Sequence, residues 1–400
     1  MQKIKNCLIV GSYTFPYGIA ASARIRNLAY GFRDNGYTVY ILAISPPFGA
    51  KGKTEWHEFD DNIFVRYLQE NVPEKTWKNP TKRSMFFLRN LISSSKFIGE
   101  LCHRKPLDFA FIYGRGYLSL KGILKECKKN NIFSILDITE LPATYSSLLD
   151  LCLHPLRLDS LVGEKMLVGK ANMLTCISTK LSSRYNNKLK YILPSVEAWE
   201  DVVFVSTTKK EVFTFLYVGS FMEKDNPTLL LKFFSELLEA EISFRLKVIG
   251  KYEYLKEGIS WKNTFRSKFK NQVKFLGEAS DSVLRQEMNS ADALLLLRNT
   301  STLEEYTFPT RLVEFLKSGR MVVTSPTGDI INYLTHLNNA FFIEYDKVTH
   351  AVKEIRNLIS NRQIVTEIGK KGLVVGKKHM NRHVHTSAII SMYEEQSQLW

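Results

Sequence analysis

The sequence predicts an α/β protein built from two successive doubly wound parallel-sheet domains. Three observations carry this reading. Short apolar runs of strand length alternate with stretches of helical period, several of the runs stop at a glycine, and the rhythm restarts after a polar break that reaches about Lys210. At 400 residues the chain is also too long for one ordinary core.

The first domain is expected over residues 1–195. Lys5–Val10 reads as a buried strand, and the apolar run Cys7-Leu8-Ile9-Val10-Gly11 is too short, and lacks the small-residue cleavage site, for a signal peptide. Ala20–Asn35 is helical, with Leu28, Ala29 and Phe32 on one face and Gly36 as its stop. Strands follow at Thr38–Ala43 and Asn62–Tyr67. Residues 73–85, polar, basic and proline-containing, read as an exposed loop before a helix near Met85–Cys102. Then come the strand Phe109–Tyr113, the helix Ser119–Asn130, the strand Phe133–Ile138, the helix Leu158–Lys170 and the strand Met173–Ile177.

A linker is placed around Tyr191–Glu197, and the second domain runs over 196–385. Its strands are Phe213–Val218, Phe244–Ile249, Val273–Leu276 and Ala293–Leu297, with helices at Pro227–Glu239 and Ser282–Asn289. The terminal helix, Thr386–Trp400, has no evident place in the second domain and is expected to pack back on the first.

The 44% hydrophobic and 24% charged content is that of a globular protein, and no apolar run reaches the ~18 residues a spanning helix requires. Five scattered cysteines form no CxxC pair and, being odd in number, no disulfide framework. They read as reduced thiols in a cytoplasmic protein with no metal site. The net charge of +15 has two readings: a lysine-rich solvated surface, or docking to anionic lipid at the inner face of the membrane. Nucleic acid is disfavoured, since the basic residues are spread along the chain without a recognisable binding module.

The most informative stretch is Phe308-Pro309-Thr310-Arg311-Leu312-Val313-Glu314-Phe315-Leu316-Lys317-Ser318-Gly319, followed by Arg320–Ser325. It reads as a loop, a helix, a glycine stop and a buried strand. A helix N-terminus offers unpaired N–H groups and a positive dipole end to a phosphate, and a carboxylate one turn in can accept from ribose or sugar hydroxyls. That equipment suits a nucleotide-sugar.

These residues resemble the bacterial family 4 glycosyltransferases, a retaining family. The likeness rests on Gly11–Gly18, Ala21–Arg24 and Asn35–Val39, on Tyr217–Lys224 and Ala291–Ala293, and most specifically on Phe308–Ser325. It implies the GT-B fold, two Rossmann-like domains facing across a cleft. It also implies a nucleoside-diphosphate sugar as donor, with no metal or other cofactor, and transfer to a glycan or polyprenyl-linked acceptor in surface polysaccharide synthesis. The family usually has two glutamates eight residues apart here. Glu314 fits the second, a contact to the donor ribose, while Tyr306 stands at the first and Glu304 and Glu305 lie out of register.

The residues assigned to chemistry follow from both readings. Lys224, just past a strand end, and Arg311, at a helix start, would neutralise the departing diphosphate; the alternatives are a solvated loop lysine and an ion pair to Glu305. Glu314, on an otherwise apolar helix and expected to be buried, would bind ribose or pair with a basic residue. The amides of Thr307, Phe308, Thr310 and Arg311, with Leu312 and Val313 beside them, would line the donor pocket; Pro309 cannot donate. Gly18 and Gly219 would let backbone approach the diphosphate, or be ordinary turn glycines. Glu140 or Asp137 would orient the acceptor, or cap a turn, and Arg24 and Arg115 are candidates for an anionic acceptor. His379, His383 and His385 read as surface. Two other functions remain open on sequence: a glycosyltransferase-like subunit that binds without catalysis, favoured by Tyr306, and a nucleotide-sugar epimerase. A dinucleotide oxidoreductase is disfavoured, as no GxGxxG follows Val10 or Val218.

Overall fold

The computed structural model of the chain describes residues 5–18, 20–47, 49–71, 94–141, 155–199, 211–254, 256–301 and 303–398. The expected 73–85 loop and the first part of the Met85–Cys102 helix lie outside the described residues, while 94–102 are helical. The chain divides into two compact units, Met1–Ala198 with Arg382–Trp400, and Trp199–Asn381.

The first unit is a sheet of β1 (Lys5–Gly11), β2 (Tyr37–Ala43), β3 (His57–Asp60), β4 (Ile63–Tyr67), β5 (Phe109–Tyr113), β6 (Phe133–Ile138), β7 (Met173–Cys176) and β8 (Lys190–Ile192). Their order is β3-β4-β2-β1-β5-β6-β7-β8, and only the β3–β4 pair is antiparallel. Covered on both faces, β1 and β6 are buried almost throughout, which is why their sequences are continuous apolar runs rather than alternating ones.

Helix Ala20–Asp34 turns Ile25, Leu28, Ala29 and Phe32 into this core. The last helix, Arg382–Ser397, lies against it. Gly31 permits the close approach, since a Cβ there would stand 2.6 Å from Thr386 Cγ2. Tyr393 packs its ring against Phe109 and Phe133, and Glu394 pairs with Lys5 at 2.8 Å. The three histidines do not form the surface cluster expected of them. His385 is buried, with Nδ1 2.8 Å from the Tyr191 hydroxyl, His383 lies 3.5 Å from Asp34, and His379, itself in the second unit, packs against Tyr333 of that same unit.

Arg24 and Asp137 hold the carboxyl ends of the first sheet. Arg24 Nε and Nη2 donate to the two Asp137 carboxylate oxygens at 2.7 and 2.9 Å. Its remaining donors reach the carbonyls of Pro194 and Leu193, while Thr175 donates to Asp137. Both side chains are almost wholly buried. Neither is therefore an open group for an acceptor, contrary to the sequence expectation: each is consumed in binding helix Ala20–Asp34 to the end of β6 and to the chain leaving β8.

The second unit is a wholly parallel sheet of β9 (Phe213–Val218), β10 (Phe244–Ile249), β11 (Val273–Gly277), β12 (Ala293–Leu296), β13 (Met321–Thr324) and β14 (Phe341–Phe342), in the order β11-β10-β9-β12-β13-β14. Phe215, Phe233, Phe234, Phe244 and Phe269 interlock edge to face across its core. Helices Lys256–Phe269, Val348–Ser360 and Arg362–His379 complete the layers. Gly369 sits so close to the turn before β13 that a Cβ would stand 2.2 Å from the Gly319 carbonyl oxygen.

Removing one member of the Arg24–Asp137 pair strands a buried charge. Arg24→Ala is expected to lower unfolding free energy by about 3–5 kcal/mol, and Asp137→Ala by a similar amount. The double variant should lose clearly less than the sum, as read by denaturant titration.

Candidate active site

In the second unit the strand order reverses between β9 and β12, the point where open parallel sheets leave a crevice at their carboxyl ends. Two loops line it. After β9, Phe221 adopts a left-handed backbone (φ 56°) and stacks its ring on Tyr217 with centroids 4.8 Å apart. Its N–H donates to the Tyr217 hydroxyl at 3.1 Å, and that hydroxyl lies 3.4 Å from Asp225. Burial pushes the Tyr217 phenol well up, so it stays protonated. Gly219 is required at this turn, because a Cβ there would stand 2.4 Å from the Tyr217 hydroxyl. Lys224 follows, its side chain exposed and without an ion pair among the described residues.

The loop after β12 is stitched to the first. Asn299 N–H donates to the Lys224 carbonyl at 3.2 Å, and Asn226 donates to the Arg298 carbonyl while its Oδ1 caps helix Pro227–Glu239. Sequence reasoning missed Arg298. Its guanidinium, 12% exposed, donates to Glu304 and lies 3.8 Å from Asp225, so one cation ties both loops together. The available signal was an arginine directly after a buried strand, where a bare charge has to find partners.

Helix Thr310–Lys317 opens behind Pro309 with no side-chain cap. The Thr310 and Arg311 amides have no hydrogen-bond partner among the described residues, so they remain available to an anion. The Thr307 and Leu312 amides are not: they donate to Glu304 and Pro309 carbonyls at 3.2 and 3.0 Å. The side chains of Phe308, Leu312 and Val313 are buried in the core, Phe308 edge-on to Tyr333. Glu314 is a further correction. Rather than buried, it is 49% exposed, and Arg311 Nη1 lies 3.8 Å from it, in place of the pairing with Glu305. That nitrogen is buried without a hydrogen bond, and the Arg311 charge bears on the Tyr217 phenol, which puts it beside the end of β9. A cavity of about 580 Å³ flanks the same loop, walled by Phe221, Met222, Asn226, Glu257, Trp261 and Tyr345; Lys224, Arg311 and Glu314 are not among its walls.

Glu140 and Gly18 belong to the first unit. There the reversal falls between β1 and β5, and a cavity of about 260 Å³ opens at the strand ends among Ser12, Tyr113, Arg115, Thr139, Glu140 and Asp159. The Glu140 side chain is exposed. Its carbonyl accepts from Arg115, whose Nε donates to Ser160 at 2.9 Å. Burial of Arg115 lowers its pKa and leaves it a positioning group rather than an open cation. Gly18 lies off this cavity, wedged between the Thr14 and Ser22 hydroxyls with φ 155°. Among the described residues no cluster of histidine, cysteine and acidic groups has metal-binding form.

Two largely parallel sheets of this kind, each open at a strand-order reversal, are those of the GT-B fold. The likeness extends over whole chains. Sucrose-phosphate synthase from Thermosynechococcus elongatus superposes with TM-score 0.72 at 13% identity, covering 100% of both chains. A glycosyltransferase from Rickettsia africae gives 0.68 at 13% identity over 99% of each. HepE of Anabaena, solved in complex with UDP, gives 0.65 at 13%, covering 98% of this chain and 100% of HepE. No curated protein sequence matches the chain. Residues 200–373 match the sequence model of the family Glycosyl transferases group 1. The match thus takes in the second unit but for its first residue and its end, and the chain has the GT-B fold.

Asp159 offers a test of the first-unit cavity. Its carboxylate accepts from the Leu118 N–H at 2.9 Å at the open end of helix Tyr117–Lys129, yet burial dominates and raises its pKa. The folded chain therefore holds this proton more tightly than the unfolded chain. The stability it contributes is full below the ordinary value of 3.8 and is lost as pH rises through the raised folded value. Measured against Asp159→Asn by denaturant titration at several pH values, the wild type should gain relative stability on acidification. A flat difference would contradict the assigned burial.

Proposed function

We propose that the chain transfers a sugar from a nucleoside-diphosphate sugar, with retention of configuration, to a glycan or polyprenyl-linked acceptor in surface polysaccharide synthesis. The observation that carries the donor assignment is the uncapped start of helix Thr310–Lys317, with Arg311 beside the end of β9 and Lys224 on the loop that follows it. Two cations and two unpaired amides supply what a departing diphosphate requires when no metal does so. Glu314, half-exposed one turn in, accepts from ribose hydroxyls while its partner Arg311 turns to phosphate. Glu140, open in the first-unit cavity, orients the acceptor hydroxyl or sugar. HepE has been solved with UDP and with UDP-glucose, which makes UDP-glucose the first donor to try. We place the reaction in the cytoplasm at the inner membrane face, where a lipid-linked acceptor and a strongly basic protein meet. Among the described residues no helix is long and apolar enough to cross a membrane.

A second reading, a binding subunit without catalysis, is favoured by one observation. Tyr306 occupies the first glutamate position, and the nearby Glu304 is already engaged by Arg298.

The test is a thermal-shift screen against UDP, GDP, ADP and their sugars, followed by product analysis. One diphosphate should raise the melting temperature of the wild type by mass action and fail to raise that of Glu314→Ala. Lys224→Ala and Glu314→Ala should each cut donor-dependent turnover by more than about tenfold, roughly 1.4 kcal/mol. Unchanged kinetics in folded variants would sink the site, and donor binding with neither transfer nor hydrolysis would establish the non-catalytic reading.

A further inference from the structure

The entry ends of β6 and β7, opposite the crevice of the first unit, frame a groove of about 780 Å³. Lys121, Lys125, Lys128 and Lys170 line it, over a floor that includes Leu124, Ile132 and Leu167. Among the described residues its walls hold no carboxylate, no arginine and no aromatic ring. All four lysines are exposed, and none forms an ion pair among the described residues. Like charges gathered without a counter-charge repel one another, and an anion laid across them removes that cost.

The lysines are not scattered. Leu118, Lys121, Lys125 and Lys128 follow the three-and-four spacing of one helical face on Tyr117–Lys129, and all are exposed. The neighbouring helix Pro155–Leu167, packed against it, adds exposed Leu158, Lys165 and Met166. Exposed ammonium groups, that of Lys121 5.3 Å from the Tyr117 ring centroid, thus share with uncovered aliphatic side chains a helix pair each roughly 20 Å long.

We propose that this helix pair docks the chain on an anionic phospholipid surface, with the lysines on phosphate headgroups and Leu118, Leu158 and Met166 reaching the apolar boundary. Nucleic acid is the poorer occupant. Single strands call for stacking rings, phosphate clamps favour arginine forks, and the groove has neither, while the aliphatic side chains suit lipid. The proposal deepens the membrane-facing acceptor reading and rests on it for its purpose, but binding is measured without turnover.

The test is sedimentation of the purified full chain with phosphatidylcholine vesicles, with and without phosphatidylglycerol. Wild type should pellet with the anionic vesicles alone. At about 1 kcal/mol per lysine, the combined Lys121→Glu, Lys125→Glu and Lys128→Glu variant should lose at least about tenfold in partition coefficient. A control carrying Lys268→Glu, Lys274→Glu and Lys353→Glu, all exposed in the second unit, should bind like wild type. If the groove variant does not fold, the same three positions changed to Gln remove the charges without reversing them. Equal losses in both sets, no wild-type binding, or loss of duplex DNA binding with vesicle binding intact would each overturn the proposal. The nucleotide-dependent thermal shift, recorded on the same variants, separates this outcome from failure of the donor site.

Discussion

The candidate site of the second unit depends on a constraint of parallel sheets. A strand whose neighbours lead away to opposite sides leaves its own carboxyl end uncovered, and its loop has to be shaped without help from an adjacent crossover. At β9 two non-glycine residues with left-handed backbone, Phe221 and Asn226, shape that loop. Phe221 accepts a left-handed backbone at a cost of about 1–2 kcal/mol, and the stacked Tyr217 ring and hydroxyl hold it there. The turn brings Asp225 to Arg298, and Arg298 brings Glu304, so the loops after β9 and β12 take their form together. The start of helix Thr310–Lys317 follows directly from that second loop.

Where the fold was legible in sequence, burial on both faces made it so. Leu8, Ile9 and Val10, or Leu294, Leu295 and Leu296, can be nothing but interior strands or helix cores, and their short length decides for strand. Three strands escaped notice for an opposite reason. β3 is His-Glu-Phe-Asp at a sheet edge, and β8 and β14 are three and two residues long. Helix Lys256–Phe269 buries only Gly258, Phe265 and Phe269, too few to mark a face. In helix Arg362–His379 the glycines at 369, 372 and 376 are the points where the helix meets the turn before β13, the Asn339 carbonyl and the Trp199 ring.

The candidate site was legible in residue type and much less in state. Local pattern together with the family resemblance picked out Lys224, Arg311 and Glu314 as polar groups on loop and helix starts. Spacing does not say which polar groups are already spent, because partners come from far along the chain. Arg24 finds Asp137 and the carbonyls at 193 and 194, and Arg115 finds Ser160 and Glu140. The misjudged burial of Glu314 has a local cause: its helix turns Leu312, Val313, Phe315 and Leu316 inward, and residue 314 falls on the remaining outward strip.

The division of labour among the cations explains how a charge of +15 coexists with a well-paired interior. Arginines hold the most buried of the paired carboxylates: Arg24 with Asp137, Arg298 with Glu304, Arg362 with Asp292 at 2.8 Å. Planar guanidinium forks lose less on desolvation and can satisfy several acceptors at once. Lysines such as Lys5, Lys251 and Lys347 pair at exposed positions, where such contacts contribute little, and those of helix Tyr117–Lys129 lie in the open on one face. The excess positive charge is therefore not a by-product of the core. Much of its free portion is surface lysine, and on that helix it is concentrated, outside any ion pair among the described residues and set beside uncovered aliphatic side chains, the combination that separates attraction to a lipid surface from simple solubility.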